Sequence, residues 1–101
     1  MPDRDGYPTE DELTKVREWK VYSYTLHEFM DYVKSIWTWP DYIWRSGRMY
    51  VLVTGGWSGN EDIIRAMKEN TLFWLFFWES SERGGRFKFN DLDYDEEDWI
   101  I

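Results

Sequence analysis

The residues best suited to chemistry in this chain lie in Gly55-Gly56-Trp57-Ser58-Gly59-Asn60, between a strand-like run ending at Thr54 and a helix-like run opening at Glu61-Asp62. Glycines let a ligand approach the backbone closely. The first-turn amides of a helix point outward from its N-terminus, where phosphates and carboxylates bind. Trp57 offers a flat face, and stacking on such a face is worth roughly 1–3 kcal/mol per base. Trp74 and Trp78 extend the aromatic supply, and Arg83 and Arg86 carry planar donor forks that pair with acidic groups at two points. These residues form the expected ligand-binding set.

A second reading explains the same loop without a ligand. The glycines turn the chain, Ser58 caps the helix, Glu61 completes an S/T-x-x-E capping box, and Trp57 packs over the joint. Glu61 and Asp62 oppose a bound anion, and the string lacks both the lysine of a phosphate-binding P-loop and the G-x-G-x-x-G spacing of a dinucleotide fold. Arg83 and Arg86 have a similar alternative in neutralising Glu79, Glu82 or the acidic tail, and Arg45 and Arg48 read as solvated hairpin residues.

Catalytic and metal-binding patterns are sparse. The single histidine, His27, falls in the first turn of a helix beside its apolar stripe, where surface or capping duty suits it better than general-base work. With no cysteine, a zinc site has too few ligands. Asp91-Leu-Asp93-Tyr-Asp95 echoes the start of a calcium loop but lacks the glycine at its sixth position, which supports weak divalent binding at most. The expectation is a non-enzymatic protein without a cofactor.

The elements that must position these residues are legible in part. Thr9-Glu-Asp-Glu12 is a capping box that opens a short helix. Thr25-Leu-His-Glu28 is another, followed by Leu26, Phe29, Met30, Val33, Ile36 and Trp37 at helical spacing up to Pro40. Asp41–Arg45 and Arg48–Thr54 read as strands around a Ser46-Gly47 hairpin turn. A helix follows from about residue 60 to residue 68. Leu72–Trp78 is apolar without a gap, so periodicity cannot assign it. The preferred reading is a helix capped by Thr71, with Arg83 in its last turn and Gly84 as its stop; the alternative is a strand with Glu82-Arg-Gly-Gly85 as a hairpin turn. Arg86–Asn90 alternates as a strand. The sum is an α+β domain, a small antiparallel sheet packed against helices.

Composition sets the boundaries. A chain of 101 residues is one domain, here divided into an acidic N-terminal segment 1–12, a body 13–90 and an acidic tail 91–101. The net charge of −8 belongs to the ends: residues 1–12 carry −4, Asp91–Asp98 carry −6, and the body is left at +2. Without a long basic stripe, and with both ends repelling phosphates, direct nucleic-acid binding is not expected. No secretory leader is evident, and the longest apolar run, Leu72–Trp78, is far short of the roughly 20 residues that span a bilayer. A soluble cytoplasmic protein without a membrane partner is expected. Aromatic residues make up 21% of the chain, with eight tryptophans, more than a core this small encloses; some must be exposed, as at binding surfaces.

Thr54-Gly-Gly-Trp-Ser-Gly-Asn-Glu61, followed by Phe73-Trp74, Trp78, Ser81 and Arg83-Gly-Gly85, resembles a family of small uncharacterised bacteriophage-encoded proteins. The resemblance runs from about Trp19 to Phe89, and the acidic tail looks like an addition to it. It implies the cytoplasm of an infected bacterial host and, by analogy, action on host machinery or host defence. Two functions fit this setting. One is sequestration of an anionic nucleotide-like small molecule; the other is inhibition of a host protein through exposed aromatics or the acidic tail. Self-association is left open.

Overall fold

A computed structural model describes residues 7–91. The expectations for the tail beyond Asp91, including the calcium-like pattern and Trp99-Ile-Ile101, lie outside the described residues. In chain order the elements are α1 (Glu10–Glu18), a 3-10 turn (Ser23–Thr25), α2 (Leu26–Ile36), a second 3-10 turn (Pro40–Tyr42), β1 (Ile43–Ser46), β2 (Met49–Val53), α3 (Ser58–Glu69), α4 (Thr71–Phe77), β3 (Trp78–Glu82) and β4 (Arg86–Asn90). The strands form one antiparallel sheet in the order β1-β2-β4-β3. This is the expected α+β arrangement, with the apolar faces of the helices meeting the face of the sheet that carries Ile43, Tyr50, Leu52 and Phe89.

Helix α2 supplies the centre. Leu26, Phe29, Met30, Val33 and Ile36 are all buried, and each such side chain contributes about 1.5–3 kcal/mol relative to exposure. Phe29 packs on Phe73 with ring centroids 4.7 Å apart, and Phe73 in turn meets Phe77 at 5.6 Å and Phe89 at 5.2 Å. Part of the aromatic excess is thus a phenylalanine cluster joining α2, α4 and β4. Trp37 is also buried, and its indole N–H donates to the Val53 carbonyl at 3.2 Å.

The capping boxes had different fates. Thr9 forms its box in full: its hydroxyl accepts from the Glu12 amide at 3.1 Å, and the Glu12 carboxylate accepts from the Thr9 amide at 2.8 Å. Burial pushes the Glu12 carboxyl up, but hydrogen bonds, among them those from Thr9, hold it below its ordinary value. The Thr25 hydroxyl instead closes the 3-10 turn before α2, accepting from the Tyr22 amide at 2.8 Å and donating to the Tyr22 carbonyl. Ser58 is already inside α3, with Trp57 at the cap position, and its hydroxyl pairs with that of Tyr7 at 2.9 Å. The packed body therefore takes in residues of the acidic N-terminal segment, since Pro8 and Glu12 are buried.

The largest departure is at Leu72–Trp78. The run is helical only through Phe77; Asn70, not Thr71, caps it, with its side chain accepting from the Phe73 amide at 3.4 Å. Trp78 then begins β3 without a loop, and Arg83 and Gly84 lie in the β3–β4 turn, not at a helix end. The preferred helix thus holds for residues 72–77 but ends before Arg83, and the hairpin turn of the alternative reading is present at residues 83–85. In the first hairpin the turn is displaced by one residue, with Ser46 paired to Met49 and Gly47 at φ 59°, the positive φ that a tight hairpin requires of its first central residue.

Candidate functional site

The expected ligand loop splices β2 to α3, and much of its polarity is spent internally. The Trp57 amide donates to the Thr54 carbonyl at 3.1 Å, and the Gly56 amide lies 3.3 Å from the Thr54 hydroxyl. Gly55, at φ 65°, lies under two rings: a Cβ there would stand 2.9 Å from the Trp39 indole and 3.1 Å from the Tyr42 ring. Trp57 lies between Tyr7, at 4.9 Å, and Trp39, at 6.4 Å, so its ring is part of a small aromatic cap over the joint. Trp39 reaches this position through a left-handed backbone, φ 64°, which replaces the helical geometry disfavoured before Pro40.

Asn60 is wholly buried and works as a clamp. Its oxygen accepts from the Thr38 amide at 2.9 Å, and its amide donates to the Thr38 and Thr54 carbonyls at 2.9 and 3.2 Å. It ties the α2–β1 connection to the β2–α3 joint. Gly59 beside it is also buried.

The remaining candidates divide. The Arg83-Gly84-Gly85 turn does come to the loop, because the Gly85 carbonyl accepts from the Thr54 amide at 3.0 Å and Gly85 packs on the Thr54 side chain. Arg83 is exposed in that turn. Arg86 lies instead on the outer face of the sheet, where it lines a hollow with Trp44, Met49, Val51 and Lys88 and stands 3.7 Å from Glu82. Trp74 is half-buried against Phe87 and Phe89, and it stacks on Trp78 at 5.9 Å. The indole N–H of Trp78 donates to Ser81 at 2.9 Å.

His27 is exposed at the surface, with Nδ1 3.0 Å from the Tyr50 hydroxyl and Nε2 3.4 Å from Asp31. Arg45 is not a free hairpin residue: it donates to the same Tyr50 hydroxyl at 3.0 Å, lies over the Tyr50 ring and pairs with Asp91. Among the described residues, no group of three or more His, Asp or Glu side chains is placed to hold a metal ion, and no helix is long and apolar enough to cross a membrane.

The feature that the loop-centred reading missed is the outward face of α4. Phe73 and Phe77 anchor one side in the core, which turns Leu72, Leu75 and Phe76, spaced i, i+3, i+4, to the surface at 66%, 71% and 58% exposure. At one end Leu72 enters a groove of about 330 Å³ whose other walls include Trp19, Val21, Tyr22 and Asn70. Tyr22 is half exposed and stacks on Tyr24 at 5.5 Å, and Tyr24 is itself 75% exposed. Contiguous apolar surface above roughly 300–600 Å² is unusual on a monomer and marks interaction sites.

No protein-family model, curated protein or solved structure matches the chain.

Proposed function

We propose that this chain is a non-enzymatic binding protein that docks on another protein through the Leu72-Leu75-Phe76 stripe of α4 and the groove between Leu72 and Tyr22. In the bacteriophage setting implied by the resemblance of the Gly-Gly-Trp-Ser-Gly-Asn string, the partner is a bacterial host protein and the effect is inhibition. The observation that carries this reading is the exposure of three large apolar side chains on one face of a seven-residue helix that Phe73 and Phe77 anchor in the core from its other side. Apolar side chains at such spacing are the anchors of helix-in-groove recognition, and a few of them supply most of the binding energy at an interface.

The partner side of such a contact is an apolar cleft. Arg17, Glu18 and Lys20 rim the groove with both signs of charge, so orientation comes from polar pairs while affinity comes from the stripe. The test uses extract from a bacterial host and three immobilised chains: the natural sequence, the double variant Leu75→Asp/Phe76→Asp, and a chain lacking residues 92–101. A partner held by the natural and shortened chains and lost by the double variant, with the melting temperature of the variant unchanged, is the expected result. Retention by the double variant, or loss on shortening alone, overturns the proposal in favour of the acidic tail, and capture of nothing overturns it outright.

A further inference from the structure

Another concavity lies away from the α4 stripe, between α3 and the β3–β4 hairpin. It has a volume of about 240 Å³ and is lined by Glu61, Ile64, Arg65, Lys68, Gly85 and Phe87. Its apolar part is Ile64, which is 3% exposed, and the half-buried Phe87 ring. Gly85 holds the hairpin tight against Thr54, since a Cβ there would fall 2.2 Å from the Thr54 hydroxyl, and having no side chain it projects nothing into the hollow. The rim is cationic on one turn of α3, where Arg65 and Lys68 are neighbours at i, i+3. The Lys68 ammonium lies 5.6 Å from the Trp74 ring and 6.0 Å from the Phe87 ring, so its charge is held at the aromatic wall by the attraction of ring faces for cations.

We infer that this groove is a binding site for a planar aromatic molecule carrying a single acidic group. The ring lies against Ile64 and Phe87, and the acid meets Lys68 and Arg65. Arg65 pairs with Asp62 at 2.7 Å, but its side chain is 67% exposed; such a surface pair is worth little and yields to a better acceptor. Glu61 supplies the selectivity. Together with Asp62, the partner of Arg65, it offsets the charges of Arg65 and Lys68, so the rim has no surplus positive charge to hold a dianion and favours a monoanion. The volume is below the roughly 300–1,000 Å³ of drug-sized pockets, and it suits one ring system with one acid.

The site is independent of the α4 docking surface and can fail without it. The test is a titration of isotope-labelled natural chain followed by amide chemical shifts, with indole-3-carboxylate, its neutral analogue indole-3-carboxamide, and adenosine 5′-monophosphate as probes. Saturable shifts at residues 64–68 and 85–87 are expected with the carboxylate, about tenfold weaker with the carboxamide, since the charge-assisted contact is the difference. A stronger response to the monophosphate, close to a dianion at neutral pH, than to the carboxylate overturns the stated preference for a monoanion. Arg65→Ala/Lys68→Ala is expected to weaken binding about tenfold with an unchanged melting temperature, because both side chains are exposed. Leu75→Asp/Phe76→Asp is expected to leave it intact. Equal response to carboxylate and carboxamide, shifts located elsewhere, or no saturable shift at millimolar concentration overturns the inference.

Discussion

Two adjacent glycines separate conformational strain from steric contact. Gly84 and Gly85 both have positive φ, 83° and 73°, but a Cβ on Gly84 meets nothing within 4 Å whereas one on Gly85 falls 2.2 Å from the Thr54 hydroxyl. Gly84→Ala is therefore expected to cost about 1 kcal/mol, the left-handed penalty alone. Gly85→Ala should cost about 2–4 kcal/mol, because the hairpin must also move off Thr54. Urea unfolding of the two variants checks the difference, and equal costs would show that the Thr54–Gly85 contact contributes nothing. Tyr50 gives a prediction in pH. Burial raises its phenol above the ordinary value of 10.0, although the neighbouring Arg45 guanidinium pulls it down. A raised folded value means stability that is complete below pH 10 and lost as pH rises through the folded value. Tyr50→Phe should flatten the decline of unfolding free energy above pH 10, measured by urea titration at a series of pH values; an unchanged slope would exclude Tyr50 as its source.

At the scale of elements, α4 is two helices in one: an inner face that holds the fold and an outer face that does not. Phe73→Ala, at 1% exposure in the phenylalanine cluster, is expected to cost about 3–5 kcal/mol. Leu75→Asp, at 71% exposure, should stay within about 0.5 kcal/mol. Thermal unfolding resolves these easily, since 1 kcal/mol is about 4–8 °C in a domain of this size. The contrast also marks what the sequence could disclose. The α2 stripe and the Arg86–Asn90 strand are legible because each repeats with the period of its own backbone. Leu72–Trp78 is not, because a run without polar gaps has no period, and the change from helix to strand at Trp78 is set by pairing with Phe89 across the hairpin. The Ser58 capping box failed for a related reason: its hydroxyl is taken by Tyr7, far away in sequence. Asn60 stood out beside the glycines as a ligand contact, and the backbone groups it meets belong to Thr38 and Thr54. Local spacing identified the residue as unusual, but only tertiary structure supplies its partners.

At the scale of the molecule, the two candidate modes of association depend on different physics. The acidic residues are concentrated in 1–12 and 91–98, while the body carries +2, so contact driven by the ends is a Coulombic contact with a basic surface. Added salt screens it, because the Debye length falls from about 10 Å at 0.1 M to about 3 Å at 1 M. Docking through Leu72, Leu75 and Phe76 removes apolar area from water, a term that salt does not screen. Affinity for the captured partner is therefore expected to change by less than about threefold between 0.1 and 1 M sodium chloride, with at most the mixed charges at the groove rim responding. Sedimentation of the chain alone over the same range tests whether its own copy can occupy the stripe, since the apolar face opposes no like charges when two copies meet. Leu75→Asp/Phe76→Asp should then return any dimer to monomer, because two carboxylates on each copy would face each other across a dry contact. A loss of affinity of tenfold or more at high salt, with the double variant binding as well as the natural chain, would transfer the function from the helix to the acidic ends.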